Sequence, residues 1–432
     1  MVDNRKFTFV FFLVLFLSSF SLFSMHNSNR YFPFLEKPQI IKRGKFGTFY
    51  PSFFYISDPN AFGDNWATIG INELYGKYDL EDVINSLQSV TEDIDGETFI
   101  NPFITEGGVA GVKFVDKSIK YNIGGSVKSF GFALKYEQNL PWKNFFCGAF
   151  LPIMHVTSNQ TFNINESASN LGFSLTNADK ALIDRVRRSV SSSMGFNSQD
   201  FIKTGIGDLD LYVRARMEWE YLHLMRSINI GLKTGVILPI GVKKDPNNPA
   251  SVPFMGNGHT GLYIDVQPEF ELKQDWRLGF MIGLLGQFKS KENSRMPVGD
   301  EPLIFSALSG PMDVSPGITF KFSPYFSLGN LTDGLSLQLR YTYLRHDKND
   351  FTDMRSESSK IALASNLTTQ EDLTKWRLNL LSFQLTYDSV DAMKKWPLKP
   401  IIYAIYDFPF DWIGGKNAAK VNQFTFGVEL NF

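Results

Sequence analysis

Gln423-Phe-Thr-Phe-Gly-Val-Glu-Leu-Asn-Phe432 alternates without a break. Phe424, Phe426, Val428, Leu430 and Phe432 share one face of an extended chain, and Gln423, Thr425, Gly427, Glu429 and Asn431 share the other. A period of two marks a β-strand, because successive side chains point to opposite sides. In a soluble protein the apolar face would lie on a core. With nothing after Phe432 to cover it, this face is expected to meet another apolar solvent. One strand cannot decide between a membrane and a second sheet, but repetition can.

The pattern recurs upstream. Leu209, Leu211, Val213, Ala215, Met217, Trp219 and Tyr221 oppose Asp208, Asp210, Tyr212, Arg214, Arg216, Glu218 and Glu220, and the apolar face ends in an aromatic pair. Similar alternation predicts strands within 45–56, 127–137, 145–156, 228–238, 262–272, 276–284, 318–322, 335–343, 381–387 and 401–406. Pro239, Pro268 and Pro324 are expected at strand ends, or at a bulge for Pro268. Helical spacing appears over 79–90 and 179–190, both inside long connections. Short links at 139–144, 222–227, 273–275 and 324–333, and a longer one at 388–399, alternate with long links at 157–205, 240–260, 290–313, 346–375 and 409–421. A membrane barrel keeps that parity, with short periplasmic turns and long external loops, whereas a sandwich has no reason to. The expected fold is all-β, a transmembrane antiparallel up-and-down β-barrel over 45–432. It has twelve strands if 57–126 is one external excursion, and fourteen if that stretch hides a hairpin.

Composition agrees. The chain has 432 residues and a net charge of −1, which gives no electrostatic reason for a nucleic-acid partner. Its 41 Phe residues are spread thinly enough that the mature region has no twenty-residue apolar span. Cys147 is the sole cysteine, so no internal disulfide forms. No spacing of His223, His259 or His346 suggests a metal site, and no cofactor motif is present. Residues 1–24 read as a secretory signal peptide, with Arg5 and Lys6 before an apolar run from Phe7 to Leu17. Residues 25–44 read as a periplasmic lead-in or plug.

In such a barrel the polar faces point into the lumen. Asp208, Asp210, Arg214, Arg216, Glu218, Lys233, Asp265, Glu269, Glu271, Lys321 and Arg340 are the candidate pore-lining residues. Unpaired buried charge is costly, so these groups either cross-link the wall or form a hydrated selectivity ladder. Twelve to fourteen strands leave a passage between a filled eight-stranded barrel and an open sixteen-stranded channel. That width suits passive uptake of small molecules.

The final strand resembles the closing strand of bacterial outer-membrane barrels, which implies outer-membrane lipid and, through Phe432, the barrel-assembly machinery as partners. Gly205-Ile-Gly207-Asp208-Leu209 with Leu238-Pro239-Ile240-Gly241 resembles the hairpin of outer-membrane transporters linked to phenol meta-cleavage pathways, related in architecture to long-chain fatty-acid transporters. Ile240 stands where that family more often has Thr. The resemblance implies uptake of hydrophobic or aromatic small molecules. Two other functions are open. One is a structural or adhesive barrel acting through its long loops. The other is an outer-membrane phospholipase, whose His-x-Ser-Asn-Gly motif His155-Val-Thr-Ser158-Asn159-Gln160 approaches. The odd spacing, however, puts His155 and Ser158 on opposite faces of a strand, so the nucleophile lacks its base.

Overall fold

The computed structural model describes residues 47–432 except 59, 64–65, 93–117, 143, 170–173, 197–199, 222–224, 390–399, 411 and 421. The leader at 1–24, the lead-in at 25–44 and His223 lie outside the described residues.

Twelve strands close into one antiparallel barrel. They are β1 (Gly47–Asp58), β2 (Lys120–Asn139), β3 (Phe145–Ile164), β4 (Leu209–Glu220), β5 (Ser227–Leu238), β6 (Gly261–Lys273), β7 (Trp276–Gln287), β8 (Thr319–Thr332), β9 (Leu335–His346), β10 (Trp376–Asp388), β11 (Ile401–Pro409) and β12 (Gln423–Asn431). Each pairs with the next in chain order, and β12 returns to β1 through pairs such as Phe53↔Phe426. Two short segments extend the sheet without adding a span. Tyr78–Asp79 pairs with the outer end of β2, and Asp200–Ile206 continues the line of β4 along β3.

Burial is inverted relative to a soluble sheet. On β4, Leu211, Val213, Met217 and Trp219 are exposed while Asp210, Tyr212 and Arg214 are buried. On β12, Phe426 is exposed while Gln423, Thr425 and Glu429 are buried. A sandwich would reverse these assignments; a membrane barrel requires them. Tyr136, Trp142, Phe145, Trp219, Tyr221, Trp276 and Phe432 expose aromatic surface near one rim, as an interfacial girdle does. Lys128 is the first charged residue met on the outer face of β2 beyond Phe130 and Phe132, near the opposite boundary.

The short links 140–144, 221–226, 274–275, 333–334 and 389–400 share a rim with Gly47 and Phe432, whose backbones bond to each other. All six long links lie at the other rim. Several expected strands fall short: β2 begins at Lys120, β3 runs to Ile164 and β11 to Pro409. The link placed at 324–333 shrinks to Asp333–Gly334, because β8 runs through Pro324 to Thr332. Pro268 likewise lies inside β6 with no bulge beside it. On one side of each proline the ladder absorbs the missing N–H by skipping two residue pairs. Partners between β6 and β7 jump from Val266↔Ile282 to Glu269↔Gly279, and those between β8 and β9 from Phe322↔Tyr343 to Tyr325↔Arg340.

The described residues contain four α-helices, all in the external loops: α1 (Leu80–Glu92), α2 (Asn177–Ser193), α3 (Glu357–Ala362) and α4 (Thr368–Thr374). Thr176 and Asp179 form a capping box on α2. The apolar faces of α1 and α2 meet Tyr78, Tyr121, Ile123 and Phe305 to form a core above the barrel. Tyr78 sits edge-on to Tyr121 and to Phe305, with ring centroids 5.5 and 5.0 Å away.

Candidate functional site

The lumen has two zones. Its periplasmic part is a network of charged and phenolic side chains. Glu137 accepts from Tyr212 Oη (2.9 Å) and Tyr50 Oη (3.2 Å) and pairs with Arg214 (3.4 Å) and Lys135 (3.5 Å). Asp210 accepts from Tyr263 Oη at 2.8 Å and lies 3.8 Å from Lys233, whose ammonium stands 3.8 Å from the Tyr212 ring centroid. Asp265 pairs with Lys321 at 3.1 Å, Tyr325 donates to Glu269 at 2.9 Å, and Arg340 pairs with Asp407 at 3.1 Å. Apart from the half-buried Lys135, these charged groups are buried, so in this state they cross-link the wall.

Glycine makes room for the phenols. A Cβ on Gly235 would stand 2.7 Å from the Tyr263 ring, and one on Gly279 would collide with Tyr325. Each ring therefore lies flat on the neighbouring strand, and its hydroxyl reaches a carboxylate.

Of the eleven candidates, Asp210, Arg214, Lys233, Asp265, Glu269, Lys321 and Arg340 belong to this network. Arg216, Glu218 and Glu271 lie nearer the periplasmic rim, where Arg216 pairs with Glu218 at 3.7 Å and Glu271 with Arg226 at 3.6 Å. Asp208 has a different task. Its carboxylate accepts the N–H groups of Gly241 (3.0 Å) and Gly256 (2.7 Å), which ties both ends of an inward-folded loop to the head of β4. A Cβ on Gly241 would stand 2.8 Å from one Asp208 oxygen and 2.6 Å from the Phe254 carbonyl. The Gly-Asp-Leu and Pro-x-Gly segments are thus the two halves of one latch. Sequence reasoning missed Glu137 and Asp407 as network members. Glu137 stood on the polar face of its strand, but the strand bearing Asp407 was ended at Tyr406.

The external zone is apolar. Phe54, Ile56, Met154, Val156, Leu344, Leu378 and Leu380 point inward from the wall. Ala61, Phe62, Val252, Phe254, Ala418 and Ala419 descend from three loops to pack against them. Phe54 and Phe254 are completely buried, so the loops form a stopper.

Above the stopper lies a cavity of about 130 Å³, room for several waters or a small organic molecule. Tyr75, Phe351, Trp376, Met312 and Val314 give it apolar walls, and Lys244, Glu292, Asn257, His259 and Asn349 give it polar ones. Arg295 also reaches it, but its guanidinium is occupied by the carbonyls of Met194 (2.8 Å), Pro246 (3.1 Å) and Ser306 (3.2 Å) and by Asn247 Oδ1 (3.0 Å). It pins three external segments together. Lys244 has its ammonium 4.1 Å from the Tyr75 ring centroid. Burial among these walls pulls Lys244 down to about 7, with Glu292 opposing. Burial likewise pushes Glu292 up and His259 down.

His155 faces outward, with Nδ1 2.7 Å from Thr204 Oγ1, while Ser158 is buried on the opposite face of β3. No group of three or more His, Cys, Asp or Glu side chains is placed to hold a metal among the described residues.

An apolar exterior, charged side chains buried inside, closure by strands alone and segregated short and long links define a twelve-stranded transmembrane β-barrel of the bacterial outer membrane. No protein-family model matches the chain, and no curated protein matches its sequence. Among solved structures it is similar to the COG4313 outer membrane channel from Pseudomonas putida F1, at 7% identity and a TM-score of 0.49 over 92% of this chain and 100% of that one. It is also similar to a Pseudomonas aeruginosa FadL homologue (10%, TM-score 0.33, 90% of each chain) and to a TodX deltaS2S3 mutant monoaromatic hydrocarbon channel (9%, 0.33, 91% of each). Values this low transfer no property of those proteins, and the barrel assignment rests on its own geometry.

Proposed function

We propose that this barrel is a channel for passive uptake of small molecules, exported through the leader at 1–24 and closed at rest by its external loops. The observation that carries this reading is how the lumen is filled. Eight strands can be filled by wall side chains, whereas twelve leave space, and here loop residues occupy it. Phe62, Val252, Phe254 and Ala418 come from segments between strands and can withdraw without breaking the barrel ladder. Their withdrawal would expose an apolar throat above a charged one, a lining suited to small molecules with apolar bodies. Asp210, Arg214, Lys233, Asp265, Glu269, Lys321 and Arg340 would then line the pore.

Solute flux into liposomes containing the purified barrel tests this reading. Small organic solutes are expected to enter faster than into empty liposomes, and faster still with Asp208→Ala, which unties the loop. A folded barrel impermeable to all of them, with or without the substitution, would remove the proposal. The packed external core around Tyr78 and Phe305 favours a second reading, an adhesive barrel presenting a rigid outer surface. That reading would stand if the barrel bound a surface partner and passed no solute.

A further inference from the structure

We propose that the external cavity is a binding site for small organic monoanions with an apolar body, and that Lys244 is the residue that selects the anion. This names the substrate class of the channel proposed above and rests on that reading for its physiological sense, though not for its geometry.

Lys244 forms no ion pair among the described residues. It lines the cavity, yet among the described residues no carboxylate lies within 4 Å of its ammonium, which stands over the Tyr75 ring. The charged and titratable groups facing it are Glu292, Lys243, Asp245, His259 and Arg295. Glu292 is the one whose charge opposes the effect of burial on Lys244, and it does so without forming an ion pair with the ammonium. Glu292 is itself held by Asn257 at 3.5 Å and shifted by burial toward its protonated form. His259 is shifted toward its neutral form, its Nδ1 facing the Phe288 carbonyl (3.1 Å) and Ser290 Oγ (2.9 Å). Arg295 is occupied by backbone carbonyls and Asn247 Oδ1 and has no donor set aside for a ligand. Among the described residues the ammonium is therefore the cationic donor left to the void, and a carboxylate arriving there would gain a charge-assisted bond. Phe351, Trp376, Met312 and Val314 would receive the rest of the molecule. A carboxylate 4 Å or less from Lys244 also favours its protonated form, so the site takes up a proton with its ligand above neutral pH.

Calorimetric titration of the detergent-solubilised barrel with benzoate and with benzyl alcohol tests the proposal. At pH 6 benzoate is expected to bind at least about tenfold more tightly, the scale of one charge-assisted contact. The preference should shrink toward pH 9, vanish in Lys244→Met and survive in Lys244→Arg, with folding of each variant checked by heat-modifiable gel mobility. Equal binding of the two probes by the parent, or a full benzoate preference in folded Lys244→Met, would overturn it. Flux measurements separate the two claims: benzoate binding without flux retains the site and rejects the channel, and flux without binding does the reverse.

Discussion

The Asp208 carboxylate accepts the N–H of Gly256, 48 residues later in the chain, at 2.7 Å. With the bond to Gly241, it decides that the loop after β5 turns into the barrel and does not extend outward. Replacing Asp208 with Ala leaves two buried N–H groups without this partner, at about 1–3 kcal/mol each before water returns. Protease cleavage and hydrogen exchange within 241–258 are expected to rise in Asp208→Ala while the strands stay protected. Unchanged protection would mean that Phe254 packing alone seats the loop.

Arg340 and Asp407 face each other across β10 with almost no solvent contact. Removing one partner strands the other, which typically costs about 3–5 kcal/mol, while an apolar pair of similar volume is tolerated. In urea titrations followed by gel mobility, Asp407→Ala should unfold markedly earlier than the parent and Arg340→Met/Asp407→Leu should not. Equal loss in both variants would argue that lumen water already solvates these groups.

The outward position Ile282 and the loop position Ile361 are both exposed, but only the first faces lipid in this account. An arginine near mid-membrane costs about 2–4 kcal/mol, whereas an exposed loop tolerates it within about 0.5 kcal/mol. Refolding into lipid vesicles should therefore be weakened by Ile282→Arg and indifferent to Ile361→Arg.

Burial lowers the Lys244 pKa to about 7, below the ordinary lysine value near 10.4. Between those two values the unfolded chain binds more protons, so folded stability from this group rises with pH across that window and its penalty is complete below it. Lys244→Met should consequently stabilise the external loops near pH 6, read as slower proteolysis, with the difference from the parent shrinking toward pH 10. A difference independent of pH would remove the titration from the account.

Most of the architecture was legible because lipid and lumen impose opposite polarity on alternating residues. All twelve spans could be read in that way, including the weak ones at 318–322 and 401–406. Reading failed where the constraint lapses. Above the membrane, Thr157 to Thr161 is polar on both faces, so the extension of β3 to Ile164 merged with a loop. Pro324 looked like a terminus because a skipped pair leaves no trace in sequence. The stopper did leave one. Phe53-Phe54-Tyr55-Ile56 is apolar on both faces, which fits a strand covered by lipid outside and by loops within. Charged residues were assigned to the lumen by parity alone, and parity could not tell the latch role of Asp208 from the network role of Asp210, two residues away on the same face. The cavity residues Lys244 and Glu292 come from separate loops, and no spacing links them.

The central claim is that the inward loop gates the lumen, and the contact between Gly205 and Val242 gives the means to test it. A Cβ on Gly205 would stand 2.7 Å from Val242 Cγ2, so Gly205→Cys with Val242→Cys, in a Cys147→Ser background, should cross-link the loop to the wall. In liposomes, solute flux through this variant is expected to stop on oxidation and to return on reduction. Equal flux in the locked and unlocked barrel would contradict the account.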